Sequence, residues 1–303
     1  MSKVRDFLLS VAMATTAAMS VMAQTTSADR LISSETHRAA IPDFSGVWSH
    51  PALPWFEPLP SGPRPVTNRS RKNNVSNYDE LVGDYTNPIL QPWAAEVVKK
   101  FGEISLAGVT YPNPANQCWP EPVPFIFKHN KMQMLQQPDK ITMLYLEDHE
   151  VRWVRMNEPH RTHVTPSWHG DSVGHYEGDT LLIDTVGIRI DRPFAMIDLF
   201  GTPYTEKLHV VERYQLLDYA AAKEGLERSE KENMRFGNID NVGKYLQLYL
   251  TVEDEGVFTT PWSVTITYGL ASGELDEVVC AENRHEYYYN KDSDVPTAEK
   301  PDF

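Results

Sequence analysis

The chain is poor in cysteine and lacks the local motifs that announce most cofactor chemistry. Only Cys118 and Cys280 occur in 303 residues, and they form no Cys-x-x-Cys. That argues against a dithiol redox motif and against a cysteine-ligated zinc site. No Gly-rich strand–turn–helix sequence is present, so ATP and NAD binding are not expected. A Gly-x-Ser-x-Gly elbow is missing, as is the alternating βα pattern of the hydrolases that carry it. Positive charge is also scarce. The chain has 28 basic against 42 acidic side chains, a net charge of −14. With no basic stripe to offset it, such a surface repels phosphate backbones, and nucleic acid is not an expected partner. The acidity favours solubility and selects no ligand by itself.

Long apolar runs are absent beyond the N-terminus. The chain opens on Lys3 and Arg5, continues with an apolar stretch from Phe7 to about Ala18, and reaches Val21-Met22-Ala23, which satisfies the small-residue cleavage rule. Residues 1–23 therefore read as a signal peptide rather than a frayed helix. The stretch is too short and too rich in Ala, Ser and Thr for a membrane span. The expectation is a periplasmic or secreted protein with no membrane insertion. In an oxidising compartment Cys118 and Cys280 are candidates for a disulfide, two separate buried thiols being the alternative.

The remaining chain divides by composition. Residues 24–40 are polar and read as a flexible N-terminus. Residues 41–290 read as a single β-barrel domain, in which 51–124 form a proline-rich, loop-rich wrap containing "PSGPRP" and "NRSRKNN". One short helix interrupts the wrap near Pro92–Phe101, with proline in the first turn and lysines in the last. A first strand is expected at Phe44–Ser49. From Phe125 the hydrophobic period becomes two, and eight segments read as strands, from "FIFKHNKMQMLQQ" to "WSVTITYG". Short turns between them imply antiparallel pairing. The fold expected is mainly β: an antiparallel up-and-down barrel of about eight strands, or a strongly curved sheet. Residues 291–303 read as a polar tail.

Two hairpins organise the polar residues. Glu177-Gly178-Asp179-Thr180 is a two-residue turn that places His175 opposite Leu182 and Val173 opposite Asp184. Asp184 then lies either inside a barrel or on its wet outside. A second turn at Asp148-His149 would set Tyr145 opposite Arg152 and Leu144 opposite Trp153.

At "PDFSGVW", "GHYEGDTLLIDTVG" and "LHVVERY", with Cys118-Trp119-Pro120 and Cys280-Ala281-Glu282-Asn283, the chain resembles a large family of exported bacterial proteins. The resemblance covers most of the mature chain, with Tyr176 where the family pattern has Trp and Thr205 where it has Ser. Gly46-Val47-Trp48 is also similar to the Gly-x-Trp that opens lipocalin-type barrels. The resemblance implies a lipocalin-like (calycin-like) barrel with an internal ligand site and a lignin-derived phenol as ligand class.

The candidate chemistry lies in two stretches. "HRTHVTPSWHGDSVGH" holds His160, His163, His169 and His175, which could bind a metal or be ordinary loop histidines; its spacing fits no HExxH-type motif. "TPYTEKLHVVERY" places Glu212 among apolar neighbours, either as an acid–base group with a raised pKa or in a structural Glu–Arg bridge closing the barrel. The catalytic set expected is His209 or Glu212 as base, Arg152 and Tyr145 at a developing oxyanion, and Asp184 or His175 as relay. Trp153, Trp168, His169, Tyr204 and Trp262 are candidates for substrate binding. No metal and no cofactor are expected. The function read from this set is an acid–base enzyme of lyase or isomerase type on a small aromatic molecule, for example retro-aldol-like loss of formaldehyde. The alternatives are a non-catalytic small-molecule carrier and an envelope interaction protein with a filled barrel.

Overall fold

The computed structural model describes residues 41–50, 56–73, 75–77, 79–109, 111–191, 195–232 and 243–280. The expected leader, the stretch 24–40 and the tail 291–303 lie outside the described residues. The chain divides after Ile41 into two compact units, and the second, Pro42–Phe303, contains every element named below.

Among the described residues nine strands close a barrel. β1 (Gly46–Ser49) pairs with β5 (Lys131–Gln136). The ladder continues through β6 (Lys140–Tyr145), β7 (Val151–Met156), β8 (Asp171–Glu177), β9 (Thr180–Val186) and β10 (His209–Leu217). It passes β11 (Tyr245–Glu253) and β12 (Trp262–Leu270) and returns to β1. Closure leaves no long unpaired edge. All eight expected strands and the N-terminal one are present, although Phe125–Lys128 forms a 3-10 turn ahead of β5. Three short strands lie in the wrap. β2 (Glu57–Pro58) adds to β12, while β3 (Arg71–Lys72) and β4 (Val75–Ser76) pair with each other.

Alternation decides the inside. Met132 and Met134 of β5, Ile141, Met143 and Tyr145 of β6, and Leu248 and Leu250 of β11 are all buried, while their neighbours on each strand are more exposed. Each large apolar side chain so buried is worth about 1.5–3 kcal/mol. The β8–β9 register is as the sequence implies, with His175 opposite Leu182 and Val173 opposite Asp184. Gly178 supplies the turn with a φ of 64°, where a Cβ would be strained.

Four features differ from the sequence expectation. First, β7 and β8 are parallel, so the barrel is mixed rather than wholly antiparallel. Parallel neighbours need a crossover, and residues 157–170 run back along the barrel to supply it. Second, the β6–β7 register is shifted by two: Met143, not Tyr145, faces Arg152, and Thr142, not Leu144, faces Trp153. The turn is longer because Asp148 and His149 adopt φ of 55° and 47° and Asp148 binds the C-terminal segment through Val278 O and Cys280 N. A two-residue shift keeps each side chain on its face. Third, the wrap helix α1 (Pro92–Leu106) outruns its expected end, leaving Lys99 and Lys100 in its interior. Fourth, a second helix, α2 (Tyr219–Glu232), follows β10. Asp218 caps it by accepting the Ala221 N–H at 2.9 Å. It packs with a stripe of small residues, Ala222, Gly225 and Ser229, rather than with an apolar face.

Cys118 and Cys280 form a disulfide across 162 residues, with Cα atoms 5.5 Å apart. It pins the C-terminal segment beside the β6–β7 hairpin, where Glu147 and Val278 form an isolated bridge. Among the described residues no helix is long and apolar enough to cross a membrane.

Candidate functional site

The barrel wall sorts the sequence candidates into three groups. Inside are Arg152, Glu212 and Tyr145. Arg152 donates to Glu212 from Nη2 to Oε1 at 2.6 Å and from Nη1 to Oε2 at 3.0 Å, a bidentate pair with both side chains fully buried. Its Nη2 also reaches Thr185 Oγ1 at 2.7 Å, and its Nε reaches Ser172 Oγ at 3.1 Å. The Tyr214 hydroxyl donates to Glu212 Oε2 at 2.8 Å. Both oxygens of Glu212 are thus engaged, the arrangement expected of a pair that closes the barrel. The Tyr145 hydroxyl lies 3.5 Å from Met143 Sδ. Burial pushes its pKa up to about 12, Arg152 opposing.

Outside, on the wall, are Asp184, His209 and His175. Asp184 lies between two imidazoles, with His209 Nε2 at 3.0 Å and His160 Nε2 at 2.9 Å. The second nitrogen of His160 meets Asp171 at 3.0 Å, and that of His209 stands 3.6 Å from Glu253. Arg155 grips Asp171 with two bonds of 2.9 and 3.0 Å. The result is a ladder of alternating acidic and basic side chains across β11, β10, β9, the crossover, β8 and β7. The hydrogen bond it donates to Asp184 raises His209 above the usual histidine value, with burial opposing. Burial works to raise Asp184, but the bonds from His209 and His160 leave it lowered. His175 bonds Glu177 at 3.2 Å near the hairpin tip and joins neither group. The interior and wall residues therefore do not meet: alternation along β10 sends Glu212 inward and His209 outward.

The third group lies at the end of the barrel where the crossover returns to β8. The His169 Nε2 stands 2.8 Å from Glu150 Oε2. Glu150 is held by the Glu121 N–H, at 2.9 and 3.1 Å from its two oxygens. Burial raises the Glu150 carboxyl above its ordinary value, and the His169 bond opposes this. A neutral imidazole that donates Nε2–H to Glu150 has Nδ1 as its lone-pair acceptor. The ring of Trp168 stands 6.3 Å from that of Trp119, tilted by 49°, and the Arg189 guanidinium lies 5.2 Å from the Trp168 centroid. Asp191 holds Arg189 through two bonds of 2.7 Å.

The remaining candidates are dispersed. Tyr204 is buried, its hydroxyl donating to Arg189 O at 2.8 Å, and burial raises its pKa. Trp262 packs between Phe56 and Phe258 in the core, 1% exposed. Trp153 stands 65% exposed on the outer wall. His163 is exposed. The four histidines of the dense stretch are thus not gathered around one point. Sequence reasoning missed Glu150 and Trp119. Glu150 follows a turn, and nothing in its spacing points to His169, nineteen positions later in the chain.

Beside Glu150 lies a charged quartet, largely buried except at Glu147, that no motif announces. Lys128 Nζ bridges Glu121 Oε1 at 3.0 Å and Glu147 Oε2 at 2.8 Å. His129 Nε2 is 3.0 Å from Glu121 Oε2, and its Nδ1 is 3.6 Å from Glu147 Oε2. Burial works to lower His129, but the carboxylates outweigh it and raise the imidazole to about 9.

No family model, curated protein or solved structure matches the chain.

Proposed function

We propose that the protein is an exported acid–base enzyme that acts on a small aromatic molecule at the rim of the barrel. The observation that carries this reading is the Glu150–His169 pair, 2.8 Å apart, with His169 following Trp168 in the chain and the Trp168 ring 6.3 Å from that of Trp119. A carboxylate on Nε2 fixes the tautomer, stabilises the imidazolium and leaves Nδ1 to take a proton, the usual division of labour in a general base. Trp119 and Trp168 offer faces on which a flat ligand can stack.

The reaction class is one that proton transfer can manage alone, a lyase or isomerase step such as retro-aldol-like loss of formaldehyde from a lignin-derived phenol. His169 Nδ1 removes the hydroxyl proton, the carbon–carbon bond breaks, and the electron pair passes to the aromatic side of the substrate. The imidazolium then returns the proton to that carbon. Export is supported by the N-terminal leader pattern and the disulfide. The sequence resemblance to exported bacterial proteins supports the substrate class.

A thermal-shift screen of lignin-derived phenols, followed by product analysis of each hit, tests the reading. A ligand that binds only the folded state raises the melting temperature. A hit with a new product supports the enzyme; a hit returned unchanged makes the protein a carrier; no hit refutes the substrate class.

A further inference from the structure

The quartet beside the rim holds more ligand chemistry than an ion-pair cluster needs. Glu121, His129 and Glu147 each direct one donor atom to a common region, the three atoms lying within 4.8 Å of one another. His129 and Glu121 are 97% and 98% buried, their exposures being 3% and 2%. Although His129 Nε2 and Glu121 Oε2 are only 3.0 Å apart, the contact is poorly directed for a hydrogen bond, and so is that of His129 Nδ1 with Glu147 at 3.6 Å. The contacts have ion-pair distances with misdirected geometry. Buried polar atoms are rarely left this way without a further partner.

We propose that Glu121, His129 and Glu147 form a structural site for a divalent cation of the zinc type. Once the proton that the carboxylates hold on His129 is released to solvent, one imidazole nitrogen and two carboxylate oxygens are an ordinary borderline-hard ligand set for such an ion. Donors around a tetrahedral zinc with bonds of about 2.1 Å stand roughly 3.4 Å apart, so side-chain shifts of about an ångström close the set. The ion would satisfy the ring nitrogen and the carboxylate oxygens together. It would also tie three segments: the stretch after Cys118, the 3-10 turn before β5 and the β6–β7 hairpin.

Lys128 is the obvious objection, since its ammonium already sits on both carboxylates. It is the cation that holds the cluster when no metal is bound. Its side chain also lines a crevice shared with Asp198, a buried carboxyl that accepts from the N–H groups of Phe200 and Thr202. In this proposal the ammonium turns toward Asp198 when an ion takes its place.

The test is zinc titration of the full chain after chelator treatment, read by calorimetry or competition with a chromophoric chelator. The expected result is one zinc per chain. Glu147→Gln and His129→Gln weaken it at least about tenfold, and Lys128→Met strengthens it about tenfold, the scale at which groups around a metal act. Glu147 is partly exposed, so its variant keeps the test valid if His129→Gln fails to fold. His160→Ala/His209→Ala, which removes the wall imidazoles, leaves the titration unchanged. Absence of stoichiometric zinc in both the wild type and Lys128→Met, or binding that disappears with His160 and His209 instead, overturns the proposal.

Discussion

Arg152 and Glu212 face each other across the barrel interior with two bonds of 2.6 and 3.0 Å, and neither side chain reaches solvent. Breaking such a pair from one side strands a buried charge, whereas removing both halves does not. Glu212→Leu is expected to lose about 3–5 kcal/mol in urea unfolding. Arg152→Met/Glu212→Leu should lose less than either single variant. Equal or additive losses in the double variant would contradict the coupling.

The wall ladder makes stability depend on pH. His209 is raised above 6.5, so its contribution is complete below that pH and is lost as pH rises through the folded value. Asp184 is lowered below 3.8, so its contribution is complete above that pH and is lost as pH falls through the folded value. The two overlap between these limits. His209→Ala should therefore cost most in that window, by less than about 1 kcal/mol because the pair is partly exposed. Denaturant midpoints from pH 4 to 9 check this, and a loss that grows above pH 8 would contradict it.

The disulfide closes a loop of 162 residues. Replacing Cys118 and Cys280 together with Ser should cost about 2–5 kcal/mol under oxidising conditions. In a reducing buffer the variant and the reduced wild type should unfold together.

The two exposed-side indoles should behave oppositely. Trp153→Ala, on the open outer wall, is expected to change stability by no more than about 0.5 kcal/mol and to leave ligand-induced thermal shifts intact. Trp168→Ala should diminish those shifts while leaving the fold in place. Equal effects of the two variants on ligand binding would move the site away from the rim.

The barrel was legible because period-two alternation is clear in β5, β6, β7, β10 and β11, and Gly178 set the register of β8 with β9. The helix α2 was not legible, because its buried stripe is Ala222, Gly225 and Ser229 and gives no apolar periodicity. Its signal was Asp218 ahead of an Ala- and Glu-rich run. The shift in β6–β7 was illegible for another reason: Asp148 is held by Val278 and Cys280, over a hundred residues away. The parallel crossover had the largest consequence for the site. It separates His160 from Trp168 and His169, eight and nine positions later in the chain, with His160 on the wall and the other two at the rim. Only in three dimensions does His169 meet Glu150, while Glu212 and His209, three residues apart, are divided by the wall.

The most direct measurement compares the wild type with His169→Gln on a phenolic ligand found by the screen, following product formation alongside quenching of indole fluorescence. The account predicts that the variant still binds, as judged by quenching, and that turnover falls by about 100-fold or more. Turnover at the wild-type rate in His169→Gln would contradict it.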